Sequence, residues 1–410
     1  MNIPTLKHIT CDNGERAVLL ADQSGIPLYY PNLFITTQVR AASMALGTIK
    51  MSLIALQVLE RWQSEYRVDL VKRFQSSKFL TGYELDSLRD FCKKRISPVQ
   101  VGDDQSQILP FGKVQDFVSR NTQYQRMSVT AQYLDFLAVT LHNKQLDQEL
   151  KGSVDSMVNT FKKRRPRQQS RYKVEQLDSA LSETTLERLH QITREFDPEN
   201  PFAPNVRFRN VLIIELFASL GLRKGELANI RLDDINFQSN TLRVKRRPDE
   251  MTDTRKHQPV VKTAERTLPI SSHLSLCIQE YQIRQRRKMV AAKKHGYLFV
   301  SHKGSTEGLP LSISSIDYIF KQLKVAVDDR TLSPHKLRHQ WNYEFSLSLD
   351  LSKQKLSEAQ EEQMRSYLMG WNPTSGMAST YNRRHIVEKA HQSIEKHQER
   401  LAKMKRRSDG

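Results

Sequence analysis

Cysteine is scarce in this 410-residue chain: Cys11, Cys92 and Cys277 are the full set. Three residues so widely spaced exclude a disulfide framework and a C-x-x-C metal knuckle, and they fit a reducing compartment. Long apolar runs are also missing. The opening Met1-Asn2-Ile3-Pro4-Thr5-Leu6-Lys7-His8 has no apolar core of signal-peptide length, and no other segment approaches a membrane span. A soluble, cytoplasmic protein without a membrane partner is expected. No glycine-rich phosphate loop and no recognisable metal-ligand cluster can be read. Acidic residues are in deficit, with 45 Asp and Glu against 64 Lys and Arg and a net charge of +19. Such an excess favours a polyanionic partner through counterion release, and nucleic acid is the leading candidate.

The chain is long enough for two or three domains, each with its own core. Residues 1–40 read as an irregular N-terminal arm with short strands, Ala17–Leu20 and Ile26–Tyr30, joined across Gln23-Ser24-Gly25. Residues 41–162 carry apolar stripes at helical spacing: Leu53, Leu56, Leu59 and Trp62, then Val129, Tyr133, Phe136, Leu137 and Leu141, then Val154, Met157, Val158 and Phe161. They predict a small helical domain, with Ser97–Gly112 a loop between its helices. Residues 163–178 form a basic interdomain linker. Lys162, Lys163, Arg164, Arg165 and Arg167 are candidate DNA-phosphate contacts, and a solvated tether is the alternative.

Residues 179–385 alternate helical and strand patterns. Ser182 caps one helix, Gly221 closes another, and Thr241–Val244, Pro259–Val261 and Tyr297–Val300 have strand character. A mainly α fold with a small antiparallel β-sheet is expected. Residues 386–410 form a tail whose Ile386, Val387, Ala390, Ile394 and Leu401 read as an amphipathic helix, docking either on its own subunit or on a neighbour.

Chemistry concentrates in three segments. Ser333-Pro334-His335-Lys336-Leu337-Arg338-His339 sets a histidine and an arginine three residues apart at a helix start, with Ser333 as cap and Pro334 in the first turn. An arginine fork and an imidazole facing one way suit a phosphodiester. Upstream, Gly221-Leu222-Arg223-Lys224-Gly225-Glu226-Leu227 sets Arg223 beside a helix N-terminus, where free backbone N–H groups favour an anion. Downstream lies Ser379-Thr380-Tyr381-Asn382-Arg383-Arg384, preceded by Met369-Gly370-Trp371.

The order Arg, Lys, His-x-x-Arg, Trp, Tyr resembles the tyrosine recombinases, or phage integrase family. That resemblance implies a two-domain architecture, a helical core-binding domain followed by a mixed α+β catalytic domain, closing as a clamp on double-stranded DNA. It implies a site-specific recombinase or integrase of a mobile genetic element, cutting and rejoining DNA through a 3′-phosphotyrosyl intermediate without metal or cofactor. By the same resemblance Tyr381 is the nucleophile. Arg223 and Arg338 clamp the nonbridging oxygens, His335 and Trp371 add hydrogen bonds, and Lys262 protonates the leaving 5′ oxygen. Lys245 and Lys256 remain alternatives for that lysine. Glu226 is the acidic buttress and His339 a supporting residue. Trp371 stands where most members carry histidine, and the gap from Trp371 to Tyr381 is one residue longer than usual. A homotetramer on synapsed sites, accessory recombination proteins and a nucleoid-associated location follow from the family. A noncatalytic DNA-binding accessory protein on the same fold and a type IB topoisomerase-like activity are the competing functions.

Overall fold

The computed structural model describes residues 3–40, 46–95, 117–142, 147–167, 180–194, 196–255, 257–352, 356–372 and 393–400, and the chain divides into two units, Met1–Arg171 and Tyr172–Gly410. The expected loop Ser97–Gly112 lies outside the described residues, as does the linker from residue 168. Of the expected C-terminal tail, residues 393–400 are described and are helical; the rest lies outside the described residues.

In the first unit, β1 (Thr5–Thr10) and β2 (Arg16–Ala21) form an antiparallel hairpin, Thr5 opposite Ala21 and Thr10 opposite Arg16. β2 points Val18 and Leu20 inward. The chain then enters α1 (Tyr29–Phe34), which runs on as a π-helical turn, Ile35–Arg40. The expected strand Ile26–Tyr30 is therefore corrected: among its residues only Pro27 bridges to Ala21, and the helix begins at Tyr29. The Asn32 side chain explains the difference. It accepts from the Leu20 N–H at 2.9 Å and donates to the Leu20 carbonyl at 2.8 Å, satisfying backbone groups that a longer strand partner would otherwise have to meet.

Among the described residues the unit has five further helices: α2 (Leu46–Tyr66), α3 (Leu70–Gln75), α4 (Gly82–Lys93), α5 (Arg120–Leu141) and α6 (Gln148–Lys163). The side chains of Asp69, Thr81, Ser119 and Asp147 accept from the first turns of the last four, so each start is written locally. Val18, Leu20, Phe34 and Ile35 share one core with Leu53, Leu59, Trp62, Phe74, Leu134 and Phe161. The stretch expected as an irregular arm is thus packed into the helical unit.

The second unit opens with α7 (Glu183–Ile192), capped by Ser182, and α8 (Pro204–Leu220), closed by Gly221. The short α9 (Lys224–Ala228) leads into a three-stranded antiparallel sheet of β3 (Ile235–Asn236), β4 (Thr241–Val244) and β5 (Arg266–Pro269), in that order. Then follow α10 (Ser272–Arg284), α11 (Ile313–Ala326), α12 (Pro334–Leu351) and α13 (Glu358–Met369). Leu212, Phe217, Leu227, Leu242, Leu268, Ile278, Phe320 and Leu337 belong to its core. The expected fold class holds: mostly helical, with small antiparallel sheets.

Two strand expectations do not hold. Tyr297–Val300 makes only single bridges, Tyr297 to Arg231 and Val300 to Pro310, and Pro259–Val261 joins no ladder. The long connection between β4 and β5 has its own anchors. Arg255 is held by Asp253 and donates to the carbonyls of Ala228 at 2.8 Å and Leu311 at 3.0 Å, while Arg247 pairs with Asp234. Pro259–Val261 is thereby drawn alongside α9 as extended chain, its Pro259 carbonyl accepting from Asn229 at 2.6 Å.

Candidate functional site

The second unit gathers most of the expected site around one buried carboxylate. Gly221 ends α8 in the left-handed region, φ 58°, where a Cβ would come within 3.0 Å of Met369 and 3.2 Å of Trp341. Two residues on, Arg223 is the N-cap of α9 and Glu226 its third helical residue, so the Arg223 N–H donates back to Glu226 Oε2 at 3.0 Å. The Arg223 guanidinium, a third exposed, lies 3.7 Å from Glu226 Oε1. Glu226 itself is fully buried. Burial alone would raise its pKa, but the charges of Arg266 and Arg338 and the hydrogen bonds from Arg266 and Thr263 outweigh that and hold it below the ordinary glutamate value.

Ser333 caps α12 by accepting from the Lys336 N–H at 3.1 Å, which presents His335 and Arg338 in the first turns. Arg338 is buried. It donates to the Gly221 carbonyl at 2.6 Å and the Met369 carbonyl at 2.8 Å, and lies 4.0 Å from Glu226 Oε2. One guanidinium therefore ties the end of α8 to the end of α13. His335 presents an exposed edge and packs edge-on against His339, ring centroids 4.3 Å apart. Partial burial, with Arg338 and Arg223 nearby, holds the His335 pKa below the usual histidine value.

Trp371 follows the αL residue Gly370, where a Cβ would meet Arg266 Nη1 at 2.7 Å and the Ala264 carbonyl at 2.9 Å. That close approach places the Trp371 ring 5.5 Å from the Arg338 guanidinium, packed against Met369 and Trp341. Lys262 lies in the extended stretch before β5 with its side chain exposed; its neighbour Thr263 donates its hydroxyl to Glu226 at 2.5 Å. Lys245 ends up 3.9 Å from Asp234. Tyr381 and Lys256 lie outside the described residues.

The sequence reading missed Arg266. Buried at the start of β5, it pairs with Glu226 at 2.9 Å and donates to the Leu368 carbonyl at 2.7 Å, joining α9, β5 and α13. Its signal was present: Arg266, Leu268 and Ile270 alternate on the inward face, so the arginine had to be buried and therefore paired. The inward side of α12 is mixed in character. Leu337 is buried and Trp341 and Phe345 half-buried, while Arg338, Asn342 and Ser346 form a buried polar stripe that receives Arg365 from α13.

Three guanidinium groups, Arg223, Arg266 and Arg338, thus surround one carboxylate and leave the cluster two charges positive. With an α-helix N-terminus and an imidazole beside it, the arrangement can take an anion with several oxygens, a phosphodiester being one.

The candidate phosphate contacts differ among themselves. Lys162 and Lys163 form the last turn of α6 rather than a linker. Arg164 is fixed on both carboxylate oxygens of Asp86, at 2.8 and 3.3 Å, and Arg165 donates to Ser128 and covers the Tyr124 ring. Lys163 and Arg167 are exposed.

Residues 180–348 match the model of the phage integrase family. Among relatives, the tyrosine recombinase XerD of Halalkalibacterium halodurans is 27% identical over 156 residues, 38% of this chain and 45% of that protein. XerD of Haemophilus ducreyi is 27% identical over 164 residues, 40% and 48% of the two chains. The chain spans less than half the length of these curated relatives it matches. Among solved structures, the XerH site-specific recombinase bound to difH substrate, a pre-cleavage complex, superposes with a TM-score of 0.50 at 12% identity, covering 88% of this chain and 83% of that one. That likeness concerns the fold.

Proposed function

We propose that this chain, whose residues 180–348 match the phage integrase family model, is a site-specific DNA recombinase acting on double-stranded DNA through a 3′-phosphotyrosyl intermediate. The observation that carries the reading is the convergence of Arg223 and Arg338 on the buried Glu226, with His335 near enough for the charges of both arginines to act on it. In this reading the Tyr381 oxygen bonds to phosphorus, the 5′ oxygen departs, and charge building on the nonbridging oxygens meets Arg223 and Arg338. Glu226 sets where those guanidiniums point. His335, disfavoured as a cation by its partial burial and then by Arg338 and Arg223, gains proton affinity when an anionic phosphodiester offsets the two arginines, and so donates a hydrogen bond to it. The bond energy stays in the tyrosyl ester, so a second DNA end reverses the step. Joining two duplexes requires four cuts, hence a homotetramer on synapsed sites, with accessory recombination proteins setting direction.

The test is a nicked suicide substrate built from the DNA flanking the gene, whose short cleaved fragment diffuses away. Protein covalently joined to the 3′ end is expected. Specific binding without any adduct would favour the noncatalytic DNA-binding reading instead.

Lys262 is the proposed general acid because it adjoins Thr263, which holds Glu226. An alkoxide leaving group needs a proton, whereas a thiolate leaves without one. Lys262→Ala should cut ordinary DNA slowly and recover much of its rate when the 5′ bridging oxygen is sulfur; Arg223→Ala should not. Equal slowness on both substrates would move the role to Lys245 or Lys256.

The exposed Lys163 and Arg167 are the proposed phosphate contacts of the basic stretch. Replacing both with alanine should reduce the log–log salt slope of DNA binding by about 0.9 for each phosphate that is no longer neutralised. Arg164→Ala, which breaks the pair with Asp86, should lower stability and leave that slope unchanged. A slope unmoved by the double replacement would return the stretch to a plain tether.

A further inference from the structure

Away from this cluster, Glu215 on α8 faces His273 and Cys277 on α10, and one ligand atom from each lies within 4.8 Å of the others. His273 and Cys277 are four residues apart, so they occupy the same face of α10, one turn above the other. Their Nε2 and Sγ atoms are 3.6 Å apart. Metal–ligand lengths of about 2.0 Å to nitrogen and about 2.3 Å to sulfur, at a tetrahedral angle, set that edge at about 3.5 Å. We propose that Glu215, His273 and Cys277 form a tridentate zinc site, with a water completing the tetrahedron.

The donor set is chemically coherent. Thiolate, imidazole and carboxylate are the ligands zinc takes, and two of them come preset by one helix. Binding displaces the Cys277 thiol proton, which makes affinity fall as pH drops. Zinc would clamp α8 to α10, and the end of α8 carries the Gly221 carbonyl that holds Arg338. The metal takes part in no step of recombination, and the site stands or falls independently of the proposed activity.

A sulfhydryl hydrogen bond to His273 would give the same 3.6 Å spacing, so the experiment must separate the two. Full-length Cys11→Ser protein, reduced and stripped with chelator, is titrated with cobalt(II). Saturation at one equivalent is expected, with a thiolate-to-cobalt charge-transfer band that one equivalent of zinc abolishes. Cys277→Ser should lose the band, and His273→Ala and Glu215→Gln should each weaken binding. Zinc at about a hundredfold excess over its dissociation constant should raise the thermal midpoint by roughly 5 °C, and not in Cys277→Ser. No band at about a hundredfold cobalt excess, or a band that survives Cys277→Ser, overturns the site.

Discussion

Tyr381→Phe is expected to abolish the covalent DNA adduct, with cleavage falling by about 10⁴-fold or more, and to leave DNA affinity unchanged. The substitution keeps the ring and removes only the oxygen that would bond to phosphorus. The positive cluster around Glu226 does not depend on that oxygen, so the proposed phosphate contacts should persist. The competing tyrosine in this part of the chain is Tyr367 on α13, whose hydroxyl donates to the Thr267 carbonyl at 3.2 Å. Tyr367 precedes Trp371, whereas Tyr381 follows it. Tyr367→Phe should therefore lose one surface hydrogen bond and retain the adduct. Denaturing gel electrophoresis of both variants on the nicked substrate decides: an adduct that persists in Tyr381→Phe and vanishes in Tyr367→Phe reverses the assignment.

What the sequence made legible was local. Ser182, Gly221 and Ser333 mark helix ends through hydrogen bonds made within a few residues, and those ends place Arg223 and His335. Glu226 is read through the family resemblance alone, although its hydrogen bond to the Arg223 N–H, three residues away, is also local. What failed depended on partners far along the chain. Pro259–Val261 looks like a strand, yet Asn229 and Arg255 determine what it pairs with. Residues 1–40 look irregular because their core-facing side chains are few, and their packing surface is supplied by α2 and α5. Buried charge was hardest to foresee. Arg266 and Arg365 resemble surface residues in any composition count, and only carboxylates and carbonyls brought from other elements permit their burial.

Glu226→Gln should be the most damaging single substitution for the stability of the second unit. Glutamine keeps the shape, but its single amide oxygen can replace only one of the two acceptors that take Thr263 (Oε1) and the Arg223 N–H (Oε2), and it removes the charge facing Arg266 at 2.9 Å and Arg338 at 4.0 Å, both fully buried. Leaving buried cations without their counter-charge costs about 3–5 kcal/mol, a fall in midpoint of roughly 10 °C for a unit of this size. The pH dependence gives a second readout. Because the folded-state pKa of Glu226 lies below its ordinary 4.5, the carboxylate's contribution is complete above about pH 4.5 and is lost as pH falls through the folded value. Glu226→Gln should then lose less stability than the wild type on acidification below that point. Coupling offers a third. Arg266→Gln alone strands Glu226 with weaker compensation, whereas adding it to Glu226→Gln removes one of the stranded cations, so the double variant should be more stable than the sum of the two losses predicts. Additive losses, or a midpoint for Glu226→Gln within about 2 °C of wild type, would mean that Arg338 and Arg266 are held by the carbonyls of Gly221, Met369 and Leu368 and not by this carboxylate.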